Sequence, residues 1–235
     1  MFAIYSRELK SYFYTPIGYI FCGMFLVVSG LVFSTTTLFA KTTGNIGDYF
    51  VYLMAMFAIL LPLLTMKLFA EDRRTRTDQI LLTSPVSVFG IVMGKYLAAI
   101  TVFGVTFVVN SFNFLLLFKY GSPNLSSIMV NILGVFLLGA AFIAIGVLLS
   151  SLTENQLIAA ISAMGVNVAM LLISLLAGNI ESTFWRTILK WFSVIDRFIP
   201  FTNQTLDVSA IVYYFSLAAV AVFITTRVIE KRRWA

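Results

Sequence analysis

SIMVNILGVFLLGAAFIAIGVLL, residues Ser127–Leu149, is the stretch on which the fold turns. It carries no charged residue, and a helix of that length crosses the ~30 Å hydrocarbon core of a bilayer. Moving outward, runs of the same kind lie on both sides. Ile17–Ala40, Tyr49–Leu68 and Tyr96–Phe118 precede it, and Leu157–Ala177 and Val208–Thr226 follow. The expected fold is therefore all-α and membrane-embedded, with six transmembrane helices in a single domain over 1–235. The whole composition agrees. Of 235 residues, 60% are hydrophobic and 11% charged, with a mean hydropathy of +0.97, whereas a soluble domain is about half apolar and a quarter charged. No soluble core buries so much apolar surface, so lipid takes the rest.

Several chemistries are excluded early. There is no histidine and one cysteine, Cys22. An intrachain disulfide, a zinc site and histidine-based proton transfer lose their usual residues. The net charge of +6 does not indicate nucleic acid, because the basic residues flank the apolar runs as membrane-edge charges do. Met1–Tyr14 is not a cleavable signal peptide: Arg7, Glu8 and Lys10 interrupt it, and the apolar run that follows is too long. With the N-terminus inside, Arg7, Lys10, Lys67, Arg73, Arg74, Arg76, Lys95, Arg227, Lys231, Arg232 and Arg233 fall on the inner side. Lys41, Lys119, Arg186, Lys190 and Arg197 fall on the outer side. Eleven against five predicts both termini in the cytoplasm of a multi-pass protein.

Three segments outside the spans are informative. In residues 1–14, Phe2, Tyr5, Leu9, Tyr12 and Phe13 recur at helical spacing and the charges fall mostly on the other face. This predicts an amphipathic helix in the inner interface, against the blander reading of a frayed tail. In residues 71–86, Glu71, Asp72, Arg73, Arg74, Arg76 and Asp78 form the densest charge run of the chain, and Ile80-Leu81-Leu82 follows before Ser84-Pro85 stops any helix. This is either a solvated loop that enforces orientation or a short cytoplasmic helix that docks a partner. Residues 178–207 place Phe184, Ile188, Trp191, Phe192, Ile195 and Phe198 at helical spacing, with Pro200 ending the pattern. That reads as an aromatic-rich extracytoplasmic helical segment at the outer interface.

No Gly-x-x-x-x-Gly-Lys-Ser/Thr run is present, so the chain is not expected to be an ATPase or another enzyme. Ionisable residues are nearly absent from the spans, which argues against an ion-coupled transporter; Lys67 and Lys95 are expected to snorkel to the inner surface. Asn110, Asn113, Asn131 and Asn167 read as interhelical glue or as substrate contacts. Gly134, Gly139, Ala140, Ala144 and Gly146 give the fourth span a small face. Ala159, Ala160, Ala163 and Gly165 give the fifth another.

The order acidic-basic cluster, Thr77-Asp78, Leu81-Leu82-Thr83-Ser84-Pro85, then Gly94-Lys95 opening the third span resembles the first cytoplasmic loop of ABC-2 type exporter permeases. It is most similar to the gliding-motility and nitrous-oxide-reductase-maturation permeases. Arg76 stands where those relatives often carry glycine, and Asp78 where they often carry glutamate.

The resemblance implies a permease subunit of an ATP-driven exporter in the bacterial inner membrane. Glu71, Asp72, Arg73, Arg74, Arg76, Thr77, Asp78, Ile80, Leu81 and Leu82 would form its cytoplasmic coupling helix. The partners implied are a separate cytoplasmic ABC ATPase that binds the ATP and magnesium, a second permease chain, identical or related, and the lipid bilayer. An auxiliary extracytoplasmic protein is compatible with this plan. In that family the first and fifth spans face the partner chain, which makes Ala159, Ala160, Ala163 and Gly165 the candidate protomer interface, in competition with the fourth span. No catalytic residue, metal site or cofactor of the chain's own is expected. The rival reading is a structural or assembly subunit of a membrane complex.

Overall fold

The computed structural model describes residues 1–38, 46–83, 86–120, 124–178 and 182–233. Among them there is no strand. The helices are α1 (Phe2–Tyr14), α2 (Pro16–Phe33) with a π-helical end at Ser34–Leu38, α3 (Gly47–Thr65), α4 (Lys67–Arg74), α5 (Asp78–Thr83) and α6 (Val88–Asn110). They continue with α7 (Asn113–Tyr120), α8 (Leu125–Leu152), α9 (Gln156–Gly178), α10 (Thr183–Phe192), α11 (Val194–Thr202) and α12 (Val208–Arg233). Among the described residues, six stretches are long and apolar enough to cross a membrane: Pro16–Thr37, Gly47–Arg74, Val88–Leu116, Leu125–Leu152, Gln156–Ser174 and Val208–Arg233. The number agrees with the six apolar runs. The Ser84-Pro85 stop and Lys41 lie outside the described residues.

Three of these stretches extend well beyond the apolar pattern, all at one end of the bundle, here called the charged end, the sixth by running past Thr226 to Arg233. The second continues as α4 through the charged run to Arg74. The third begins at Val88 rather than near Tyr96, because Ser87 caps it by accepting from the Gly90 amide. Lys95 is thereby carried well inside a helix.

Burial ranks the spans. In the apolar window of the second, 78% of the residues are buried inside the chain, against 61% in the third and fourth and only 22% in the fifth. The second, third and fourth therefore form the centre. An aromatic cluster ties them to the first span: Phe25, Phe57, Phe103 and Phe107 meet with ring centroids 5.1–6.5 Å apart, and Phe136 of the fourth span stacks on Phe103 at 5.8 Å. The fourth span's small residues let this centre close. A side chain at Gly146 would collide with Thr65, and one at Gly134 would meet the Phe201 ring at 2.7 Å. In lipid, helices associate by such close packing, not by excluding water.

At the end opposite the charged one, an amide network joins three spans. Ser29 Oγ donates to Asn110 Oδ1 (2.7 Å), Asn110 Nδ2 to the Tyr49 hydroxyl (2.9 Å), and Asn113 Nδ2 to Asn110 Oδ1 (3.0 Å). The aromatic-rich segment divides at Ser193, which caps α11 by accepting from the Asp196 amide. α10 keeps Phe184, Trp185, Trp191 and Phe192 exposed, while α11 buries Val194, Phe198 and Phe201. Pro200 does not end the pattern but lies inside α11. The helix runs on to Thr202, and the Pro200 carbonyl accepts from the Thr205 amide (3.0 Å) and hydroxyl (2.8 Å).

Candidate functional site

The site begins with a break in a helix. Pro62 lacks the amide that a helix interior needs, and one turn later, at Met66, the path changes from α3 to α4. The break is held open by a hydroxyl from the fourth span. Ser150 Oγ accepts from the amides of Phe69 (3.1 Å) and Ala70 (3.2 Å) and donates to the Met66 carbonyl (2.9 Å). A side chain inserted into the backbone ladder is an established cause of a kink. Without it, three buried backbone groups would lack partners.

α1 closes over the same break. The Tyr12 hydroxyl donates to the Leu64 carbonyl (2.7 Å), and burial, with the fields of Glu8 and Glu71, pushes its pKa well above the usual tyrosine range. Lys67 Nζ donates to Ser11 O (3.3 Å), Ser11 Oγ (3.3 Å) and Thr15 Oγ1 (3.1 Å) and stands 4.2 Å over the Tyr12 ring. Lys95 has no exposed side-chain surface. Its Nζ is 3.0 Å from Glu8 Oε1 and 2.6 Å from Asp72 Oδ2, and it donates to the Leu68 carbonyl. Arg7 completes the group at 2.6 Å from Glu8 and 3.6 Å from Asp72. Burial opposes the Arg7 charge, but the hydrogen bond to Glu8 and the fields of Glu8 and Asp72 outweigh it and raise its pKa.

Two cations thus meet two anions, and the cluster is neutral. Charges withdrawn from water are tolerable only when paired in this way. Neither lysine snorkels: α1 brings polar partners inward, so both turn into the protein. Glu8 likewise belongs to the buried face of α1 with Ile4 and Tyr12, not to the polar face that spacing suggests. Helical periodicity alone could not find it, because its partner lies 87 residues away.

The charged turn is set by local chemistry. Thr75 Oγ1 donates to the Glu71 carbonyl (2.9 Å) and Thr77 Oγ1 to Asp72 Oδ1 (3.0 Å). Arg76 takes φ 57°, a left-handed conformation that glycine adopts at least cost. Asp78 Oδ1 then accepts from the Gln79 amide to open α5 (3.0 Å).

The residues of this segment divide by use. Asp72 is held by Lys95, and Arg73 reaches Glu154 in the loop before α9 at 2.6 Å. Leu81 packs against the core, sharing a small cavity with Ile91 and Ile229. Glu71, Thr77 and Asp78 are half-buried, while Arg74 and Arg76 are exposed. The side chains of Ile80 and Leu82 lie outside the described residues. Of the fifth span's small residues, Ala159, Ala160 and Ala163 are buried within the chain, and Gly165 stands on the exposed side with nothing near it.

Among the described residues no cluster of acidic or cysteine side chains could hold a metal ion. The arrangement suits mechanical work: a surface turn is wired by buried charge to α1 and α6, and by a serine to α8. The family model described as ABC-2 family transporter protein matches residues 28–229. No curated protein matches the chain.

Proposed function

The chain belongs to the ABC-2 family of transporter proteins, and from that premise we propose that it is the membrane half of an ATP-driven exporter, moved by a separate cytoplasmic ABC ATPase. It is a multi-span permease domain, read here as one domain over 1–235 in the bacterial inner membrane with both termini cytoplasmic. The α4–α5 turn is the coupling element. The observation that carries this is the division of its charges: Asp72 and Arg73 tie the turn to the spans, while Arg74 and Arg76 project from it. A coupling element needs both a rigid inward attachment and an outward face.

The left-handed Arg76 supports the likeness to the gliding-motility and nitrous-oxide-reductase-maturation permeases, which often carry glycine at that place. A second permease chain completes the particle. Three of the fifth span's small residues are engaged within the chain, so the contact would run through the side that presents Ile158, Ile161 and Gly165.

The double variant Arg74→Glu/Arg76→Glu tests the reading. Both residues are exposed, so insertion and folding should be unchanged. Reversing two docking charges should lower ATPase co-purification about tenfold or more. Unchanged ATPase binding and unchanged transport would overturn the docking role, and an unaltered protein that neither co-purifies an ATPase nor transports would leave the assembly-subunit reading.

A further inference from the structure

On the side of the bundle where α6, α8 and α12 meet is a cavity of about 610 Å³. Its walls include Met93, Tyr96, Ile100, Leu137, Ala218 and Phe223. Three observations narrow what it can hold.

The first is chemical. Nearly every lining atom is carbon, and the Tyr96 hydroxyl is already committed to the Ala140 carbonyl at 3.2 Å. Nothing is left to orient a polar ligand, and an apolar cavity does not hold ordered water. The second is position. The lining comes from the charged-end half of α6 and from the middle of α8 and of α12, so the cavity lies at hydrocarbon depth and reaches from mid-bundle toward the charged end. Phe89, Ala219 and Phe223 at its edge are exposed, so it opens sideways to lipid. The third is charge. The Arg227 guanidinium stands 5.0 Å over the Phe223 ring, at the mouth that faces the membrane surface. Its one described ion-pair partner, Glu230 at 3.0 Å, is itself partly exposed. Lys231, Arg232 and Arg233 follow within two turns, and basic segments at a membrane surface attract anionic lipid headgroups.

A partner helix fits less well. Helices pack in lipid through small residues and polar contacts, whereas here the alanines Ala140, Ala218 and Ala219 are outnumbered by bulky apolar side chains, among them Met93, which adapts to a flexible chain.

We propose that this groove binds an acyl chain of an anionic phospholipid from the leaflet at the charged end, with Arg227 against the headgroup. The groove shares no residue with the α4–α5 turn, so lipid labelling is read separately from ATPase co-purification.

Reconstitution into vesicles containing phosphatidylglycerol or phosphatidylcholine with a photoreactive acyl chain tests this, with crosslinked peptides mapped by mass spectrometry. Labelling should concentrate on residues 89–100 and 214–223. Ala219→Trp adds bulk at the exposed rim and should lower it about tenfold. Val220→Trp, on the neighbouring exposed position outside the groove, should leave it unchanged. If Ala219→Trp does not fold, Leu97→Trp on the facing wall blocks the same space. Arg227→Gln should abolish a several-fold preference for phosphatidylglycerol.

Groove labelling no stronger than on the exposed side of α9, or indifferent to both blocking variants, would overturn the site. An unchanged headgroup preference in Arg227→Gln would overturn the role of that residue. A photoreactive side chain at position 219 that captures another polypeptide in native membranes, with no lipid adduct, would replace the lipid with a partner helix.

Discussion

The two ends of the bundle hold their helices together by opposite means. At the charged end, Arg7, Glu8, Asp72 and Lys95 form a neutral cluster of full charges that joins α1, α4 and α6. At the other end, Ser29, Tyr49, Asn110 and Asn113 join α2, α3, α6 and α7 with neutral hydrogen bonds. Removing a member of the amide network leaves only neutral groups behind, which can relax toward other partners. A buried ion cluster loses its neutrality, so removal of one member leaves an opposite charge stranded. The charged end is thus the all-or-none end, which suits the coupling role proposed for the α4–α5 turn.

The largest expected effect breaks that cluster. Lys95→Met should leave Glu8 and Asp72 facing each other and cost ~3–5 kcal/mol, read as a large fall in melting temperature in detergent. Adding Asp72→Asn, which leaves Arg7 paired with Glu8, should recover much of the loss, and failure to recover would mean that Lys95 acts through packing. Ser150→Ala comes next, at ~1–3 kcal/mol for buried backbone groups left without partners. Its signature is local: amide exchange should rise at Phe69 and Ala70 before the rest of α4. An unchanged exchange pattern would show that the kink does not depend on the inserted hydroxyl.

Asn110→Leu probes the opposite end. It breaks two bonds to other spans, each worth ~0.6 kcal/mol on average in lipid, so its shift in melting temperature should stay below that of Lys95→Met. An equal shift would erase the contrast between the two ends. Smallest is Arg76→Gly, which relieves a left-handed residue and should be neutral or stabilising by ~1 kcal/mol. Destabilisation by that change would mean that the Arg76 side chain is already engaged by its own chain.

Individual residues show where sequence reading succeeded and where it stopped. The uncharged run Ser127–Leu149 announces α8 because lipid demands an unbroken apolar length, a one-dimensional property. The small face of that helix was equally visible, but its use was not. Gly146 receives Thr65 and Gly134 receives Phe201, contacts that composition cannot assign. Lys95 is the clearest case. A lysine near a predicted span end reads as snorkelling, since the chain alone offers it only water. Folding brings Glu8 from 87 residues away and Asp72 from α4, which reverses its direction.

The sequence by itself determined that the protein is a six-span membrane bundle with a dense charged turn at one end, because span length, charge placement and the missing phosphate loop are properties of contiguous residues. Only the tertiary structure decided which charges of that turn look inward, where the second span breaks, and which faces remain open to lipid. Those outcomes depend on pairs such as Lys95 with Asp72 and Ser150 with Met66. The energy of such a pair is set by distance and burial in three dimensions, and neither quantity is written along the chain.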